Sequence, residues 1–152
     1  MTDDIREGDI ISPDAQRVAT QRVMELYTAA ARSPMGGAEE AAFQRAFYAM
    51  PFWLFIPVGP IDSPQPYALV VGGKPSILGY LDDEYLRSEA IAGGIPPEEA
   101  GKVLAVPPRG VVDWSADWMA AGVVDIRFQL QRGEYVLPLA RIAETARLAG
   151  LE

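Results

Sequence analysis

The first third of the chain spaces its apolar residues as amphipathic helices do. Between positions 14 and 32, alanine, valine and leucine recur on one stripe of a 3.6-residue period. The polar residues off this stripe include Gln16, Thr20 and Glu25. Ser12 and Pro13 supply an N-cap and a proline at the first helical position, and residues 33–37 carry the proline and glycines that end a helix.

A second helix is predicted over about 38–50. Phe43, Phe47 and Met50 lie at positions i, i+4 and i+7, which is the spacing of one buried helix face. Pro51 then interrupts this period.

The middle of the chain changes to short apolar runs that are typical of strands. We expect strands at 52–58, 66–71 and 76–81. Residues 72–75 form a tight reversal in which glycine can take positive φ, so the three runs predict an antiparallel meander. The first run is aromatic on both faces, which favours a buried, central strand.

The second half alternates helices and strands. The predicted elements are a helix at 82–92, a strand at 103–107, a helix at about 110–121, a strand at 123–130, a short apolar run at 135–139 and a final helix at about 138–149. The strand at 123–130 alternates apolar and polar residues most clearly, as a half-exposed strand does. The strand–helix–strand order from 103 to 130 predicts a right-handed βαβ crossover.

These elements predict one α+β or α/β domain over residues 1–152. Its mixed sheet has about five strands, with an antiparallel meander and one βαβ crossover, and helices cover it. We expect residues 1–12 to be frayed, and the helical pair of residues 13–50 to pack on a sheet-and-helix core of residues 52–149. Separated from that core, the phenylalanines of the second helix would have nothing to pack against.

Composition and charge exclude several functions. The chain has 152 residues, a formal charge of −8, no cysteine and no histidine. Without these two residue types it has no disulfide, no thiolate nucleophile, no histidine-ligated metal and no imidazole catalyst. The negative charge disfavours nucleic acid and anionic membranes as partners. The sequence indicates no cofactor.

The N-terminus is polar and acidic, unlike a signal peptide, and the apolar runs are too short and too rich in proline to span a bilayer. We therefore expect a cytoplasmic protein that is not inserted in a membrane.

From Trp53 onwards the chain resembles the N-terminal domain of the SseB family, bacterial proteins named for an enhanced serine sensitivity phenotype. The resemblance covers about two-thirds of the chain. It rests on the ordered segments FWLFIPV, GGKP, ILGYLDDEYL, VLAVPPRGVVDW and AGVVDIRFQL. Family members typically carry a threonine at the step into the helix after ILGY, and this chain has Leu81-Asp82-Asp83 there. The resemblance implies a single α/β or α+β domain and carries over no catalytic residues.

Two tryptophans and two aspartates recur four residues apart in the predicted helix at 110–121. Trp114 and Trp118 are neighbours on one helix face, and Asp113 and Asp117 form a second row about 100° away. One interpretation is an aromatic platform beside paired carboxylates that binds a small molecule or a divalent cation. We favour the other, in which the tryptophans pack into the core and the aspartates are solvated.

The densest acidic cluster is Asp82, Asp83 and Glu84, and Arg87 follows in the same predicted helix. Together these side chains could form a polar binding surface, or the three acidic ones could provide the negative charge that a helix N-terminus favours. We favour the helix-capping role, although the junction of a strand end and a helix start remains the best position for a polar site.

The leading hypothesis is a non-enzymatic cytoplasmic interaction or regulatory module of SseB-like type, with no catalytic residue. Its binding surface would use the residues just named around 82–87 together with Asp113 and Asp117, and its partner would be a protein or a second copy of the chain. The alternative is a carboxylate- or divalent-metal-dependent enzyme or small-molecule binder that uses Asp82, Asp83, Asp113 and Asp117. The alternative requires the two pairs of aspartates to meet in one concave pocket.

Overall fold

The computed structural model of the chain describes residues 13–33, 37–60, 62–98, 100–131 and 133–151, so the expected fraying of residues 1–12 lies outside it. Within these ranges the helices are α1 (Pro13–Ala31), α2 (Ala38–Tyr48), α3 (Asp83–Ala92), α4 (Pro108–Ala120) and α5 (Ile142–Leu148). The strands are β1 (Trp53–Phe55), β2 (Pro57–Val58), β3 (Gln65–Pro66), β4 (Ala68–Val71), β5 (Lys74–Tyr80), β6 (Leu104–Val106), β7 (Asp125–Leu130) and β8 (Gly133–Pro138). The predicted fold class, a mixed sheet covered by helices with an N-terminal helical pair, is confirmed.

Two helices begin differently from the prediction. α4 starts at Pro108, two residues earlier than expected, because a proline at the first helical position loses no intrahelical hydrogen bond. The last helix starts later, since a 3₁₀ turn at Leu139–Arg141 precedes α5.

Over the described residues the main sheet runs in the order β6-β1-β5-β7-β8, with β4 also paired to β5. β5 and β7 are parallel neighbours, and the other pairs are antiparallel. The connection from β6 through α4 to β7 joins parallel strands, as a βαβ crossover does. Two strands, β1 and β5, lie between them.

The β4–β5 hairpin has the expected tight turn, in which Gly72 and Gly73 have φ of +60° and +83°. Two residues with positive φ are what a type I′ hairpin turn requires. β1 does not extend this hairpin on its outer side. It pairs with Gly79 and Tyr80 of β5. These two residues lie on the same edge of β5 as residues 74–77, which pair with β4. The chain reaches β4 along this edge because β2 and β3 pair with each other as a separate ribbon.

One face of the sheet carries the larger core. Phe47 of α2 contacts the rings of Trp53 and Phe128, with ring centroids 4.7 Å apart in both pairs. Trp53 is fully buried, and its indole Nε1 donates to the carbonyl of Phe47 at 3.0 Å. The N-terminal helical pair is therefore packed against the sheet through aromatic side chains.

The second face carries a smaller core under α3. Leu86 and Ala90 of α3 pack with Phe52, Leu54 and Tyr80. Because β1 buries side chains on both faces, it is the central strand that its sequence predicted. Helices thus lie on both sides of the sheet, and the carboxyl ends of β5 and β7 meet at one of its ends.

Candidate binding cleft

A cleft of about 610 Å³ lies between α1 and the carboxyl ends of β5 and β7. Its lining residues are Gln16, Arg17, Thr20, Gln21, Met24, Glu25, Thr28, Leu81, Asp82, Asp83, Tyr85, Gln129, Leu130 and Gln131. The cleft forms because the chain leaves β5 into α3 and leaves β7 into a hairpin, so the space beyond the two adjacent strand ends stays open. The carboxyl ends of parallel strands are where open α/β sheets place their ligands. We call this feature the α1 cleft.

The α1 wall is held to the sheet by hydrogen bonds. The amide Nε2 of Gln16 donates to the carbonyls of Phe52 and Leu81 at 3.1 Å and 2.9 Å. One helical turn later, the hydroxyl of Thr20 contacts the Leu81 carbonyl at 3.0 Å and the Gln16 carbonyl at 2.8 Å. These contacts join α1 to the chain at the start of β1 and the end of β5, and they set the width of the cleft at this end.

The orientation of the Gln16 amide follows from its partners. Phe52 and Leu81 both present carbonyl oxygens, which only accept hydrogen bonds, so the group facing them must be the NH₂. The other amide atom, Oε1, is buried and accepts no hydrogen bond from the described residues. The cleft wall therefore contains a buried acceptor that has no donor in the described part of the chain, an arrangement that is uncommon in native proteins.

Asp82 caps α3 at the edge of the cleft. Its backbone is extended, and its Oδ1 accepts a hydrogen bond from the Glu84 amide at 3.0 Å. The second carboxylate oxygen, Oδ2, lies 3.5 Å from Nε2 of Gln131, which joins the start of α3 to the end of β7. Asp82 thus has the expected capping role and also lines the α1 cleft.

The β7 side contributes a second amide of fixed orientation. Nε2 of Gln129 donates to the Arg127 carbonyl at 3.2 Å and to Oε2 of Glu134 at 2.8 Å. Glu134 also contacts Nη1 of Arg127 at 3.2 Å. A polar network therefore holds Gln129 in place on the second face of the sheet, the face that carries the smaller core.

Acidic groups outnumber basic groups along the cleft. Glu25, Asp82 and Asp83 supply three carboxylates, and Arg17 supplies the one cation among the described lining residues. Nη1 of Arg17 is already 3.0 Å from Oδ1 of Asp14 in an exposed ion pair. The charges of the α1 cleft therefore favour a positively charged ligand.

The residues singled out from the sequence lie at different places. Asp82 and Asp83 line the α1 cleft, whereas Glu84 and Arg87 are exposed on α3 and do not line it. Asp113 lines a different hollow of about 300 Å³ between α4 and α5, beside Arg109 and Arg147. Asp117 is exposed and lines neither of the two. The two aspartate pairs do not share a pocket.

The two tryptophans of α4 differ in burial. Trp118 is 8% exposed and packs with Val111 in the larger core, whereas Trp114 is 39% exposed. Their rings are in edge contact, with centroids 5.7 Å apart. The expectation that both pack into the core is met by Trp118 alone, because the buried face of α4 passes through Val111, Ser115 and Trp118 and leaves Trp114 beside it.

The α1 and β7 residues of the cleft were not identified from the sequence. Gln16 and Thr20 are off the apolar stripe of α1, where solvent exposure is the simplest expectation. Their spacing could have identified them, because two polar residues of short or medium length lie one helical turn apart beside a buried stripe. Gln129 and Gln131 likewise share one face of a strand and its turn.

Within the described residues, no group of three or more potential ligand side chains is arranged to hold a metal ion. None of the described helices combines the length and apolar character needed to cross a bilayer.

Comparisons with protein-family models, with curated proteins and with solved structures found no match for this chain. The resemblance to the SseB family stays a prediction.

Proposed function

We propose that the chain is a non-enzymatic binding module and that the α1 cleft is its binding site. The observation that carries the proposal is the cleft itself. Its volume of about 610 Å³ falls in the range of about 300–1,000 Å³ that is usual for ligand sites. Polar side chains reach it from α1, from the β5–α3 junction and from β7. Either a small molecule or a side chain of a partner protein would fit such a site.

Binding is favoured over catalysis by the groups around the cleft. The chain has no histidine or cysteine, and one oxygen of Asp82 is already used to cap α3. Asp113 and Asp117 lie away from the cleft, so the four-aspartate site of the alternative hypothesis is not assembled. An interaction or regulatory role also agrees with the resemblance to SseB-like proteins, which implies no catalytic residues.

The test is a fragment screen followed by two-dimensional NMR of the ¹⁵N-labelled protein. We expect some cationic, anionic or neutral fragments to shift the amide signals of Thr20, Leu81 and Gln131. The matched pair of variants is Gln21→Trp, which fills the cleft from an exposed position of α1, and Val18→Trp. Val18 is exposed on the same helix but does not line the cleft. The shifts should disappear in Gln21→Trp and persist in Val18→Trp.

The proposal is overturned if no fragment shifts cleft amides, or if filling the cleft leaves the shifts unchanged. Thermal melts with Mg²⁺, Ca²⁺ and Mn²⁺ address the metal-dependent alternative. An ion present at one hundred times its Kd would stabilise the fold by about 2.7 kcal/mol. A clear rise in melting temperature with one ion would favour that alternative.

A further inference from the structure

We propose that the α1 cleft recognises an organic cation, namely an ammonium or guanidinium group on an aliphatic stem. This inference rests on the proposed function and names the ligand class of the same site. Such a cation could come from either of two sources. It could be a free alkyl amine or guanidine, or it could be the lysine or arginine side chain of a partner protein.

Charge is the first argument. The cleft holds the carboxylates of Glu25, Asp82 and Asp83 against one guanidinium, that of Arg17, which already pairs with Asp14. The whole chain, these groups included, has a formal charge of −8, which raises the local concentration of cations and slows the approach of anions. An anionic ligand would meet repulsion from both the cleft and the surrounding surface.

Hydrogen-bonding polarity is the second argument. The donors of the Gln129 amide are consumed by a protein carbonyl and a carboxylate, so this amide can offer a ligand only its acceptor oxygen. Ammonium and guanidinium groups carry donors and no acceptors, and therefore complement this wall.

The apolar part of the lining is the third argument. Met24, Leu81 and Leu130 line the cleft between its polar groups, and Tyr85 adds an aromatic ring. Lysine and arginine bury their methylene stems on such apolar surface while the charged end reaches polar groups. A bare metal ion would instead need several oxygen ligands at one point, and within the described residues no group of three or more is so arranged.

The experiment titrates four matched probes into the ¹⁵N-labelled protein: n-butylammonium, n-butylguanidinium, butyrate and n-butanol. We expect the two cations to shift the amides of Thr20, Leu81 and Gln131, and we expect the anion and the alcohol to leave them unchanged at equal concentration. Raised salt should weaken cation binding, because the attraction is partly screened.

Variants separate the cleft from general electrostatic attraction. Asp83→Asn and Glu25→Gln should each weaken n-butylguanidinium binding roughly two- to fivefold, as expected for loss of a partly exposed charge contact. Asp62→Asn is the matched control, because it removes the same charge from an exposed loop outside the cleft. Equal weakening by Asp62→Asn would overturn the inference.

The outcomes distinguish this inference from the proposed function. If butyrate or n-butanol binds in the cleft and the cations do not, the ligand class is wrong and the binding site stands. If neither these probes nor the fragments bind, both fail. Comparison of n-butylammonium with the capped tripeptide Gly-Lys-Gly identifies the source, since tighter binding of the peptide indicates a protein side chain.

Discussion

Gly79 is the residue at which the sheet and the larger core approach most closely. A Cβ built at this position would lie 2.7 Å and 2.8 Å from two ring carbons of Phe128 and 3.1 Å from Cγ2 of Ile126. The ring of Phe128 is itself fixed by edge contacts with Phe47 and Trp53. The space for a methyl group is therefore absent, and the neighbours cannot easily move to create it.

We predict that Gly79→Ala destabilises the fold by about 1–3 kcal/mol, the usual cost of overpacking a core. Urea unfolding followed by tryptophan fluorescence measures the change. Gly101→Ala is the control, because its added Cβ would meet the terminal Nη2 of Arg87 at 3.6 Å, an ordinary contact. Equal stability of the two variants would contradict the overpacking argument.

The capping role of Asp82 was predictable from the sequence, whereas the hydrogen bonds of Gln16 to the sheet were not. Capping is a local property, since the Asp82 carboxylate and the Glu84 amide are two residues apart. The partner carbonyls of Gln16 are 36 and 65 residues away, and no local pattern identifies them.

At the scale of the element, helix α4 shows how far periodicity alone can be trusted. The pattern correctly predicted a helix with one buried face and solvated Asp113 and Asp117. It did not distinguish the two tryptophans, because they differ by only 40° around an ideal helix. The neighbours of α4 make the distinction, since Trp118 contacts Phe55 of β1.

We predict that Trp118→Ala costs about 3–5 kcal/mol, as is typical of removing a buried aromatic side chain. Trp114→Ala should cost less than half of that loss, since Trp114 is partly solvated. Guanidinium unfolding followed by circular dichroism measures both variants. A larger loss from Trp114→Ala would mean that α4 is rotated relative to the arrangement described above.

At the scale of the whole molecule, buried tyrosines couple stability to high pH. Burial raises the pKa of Tyr48 to about 12. The hydrogen bond with Thr145 lowers this pKa, and the nearby Tyr135 raises it further. Burial likewise raises the pKa of Tyr80 to about 12, and the nearby charge of Glu89 adds to the shift. Both hydroxyls therefore hold their protons longer in the folded state than in the unfolded state, where the pKa is near 10.

The stability that these two tyrosines contribute is fully present below pH 10 and is lost as the pH rises toward 12, because the unfolded state releases its protons first. We predict a falling free energy of unfolding over this window, measured by urea titrations at closely spaced pH values. Tyr80→Phe should flatten the fall. A free energy that stays constant above pH 10 would contradict the assignment of these tyrosines as buried in the fold.

The sequence by itself determined the helices, the buried central strand, the tight glycine turn and the cap at Asp82. Each depends on residues within a few positions of one another, where periodicity, turn conformation and capping act directly. Only the tertiary structure decided that β1 shares an edge of β5 with β4, that Trp114 is left half outside the core, and that α1 faces two parallel strand ends across a cleft. These features depend on contacts between segments that are distant in the sequence. Their stability depends on which surfaces pack together in the folded chain.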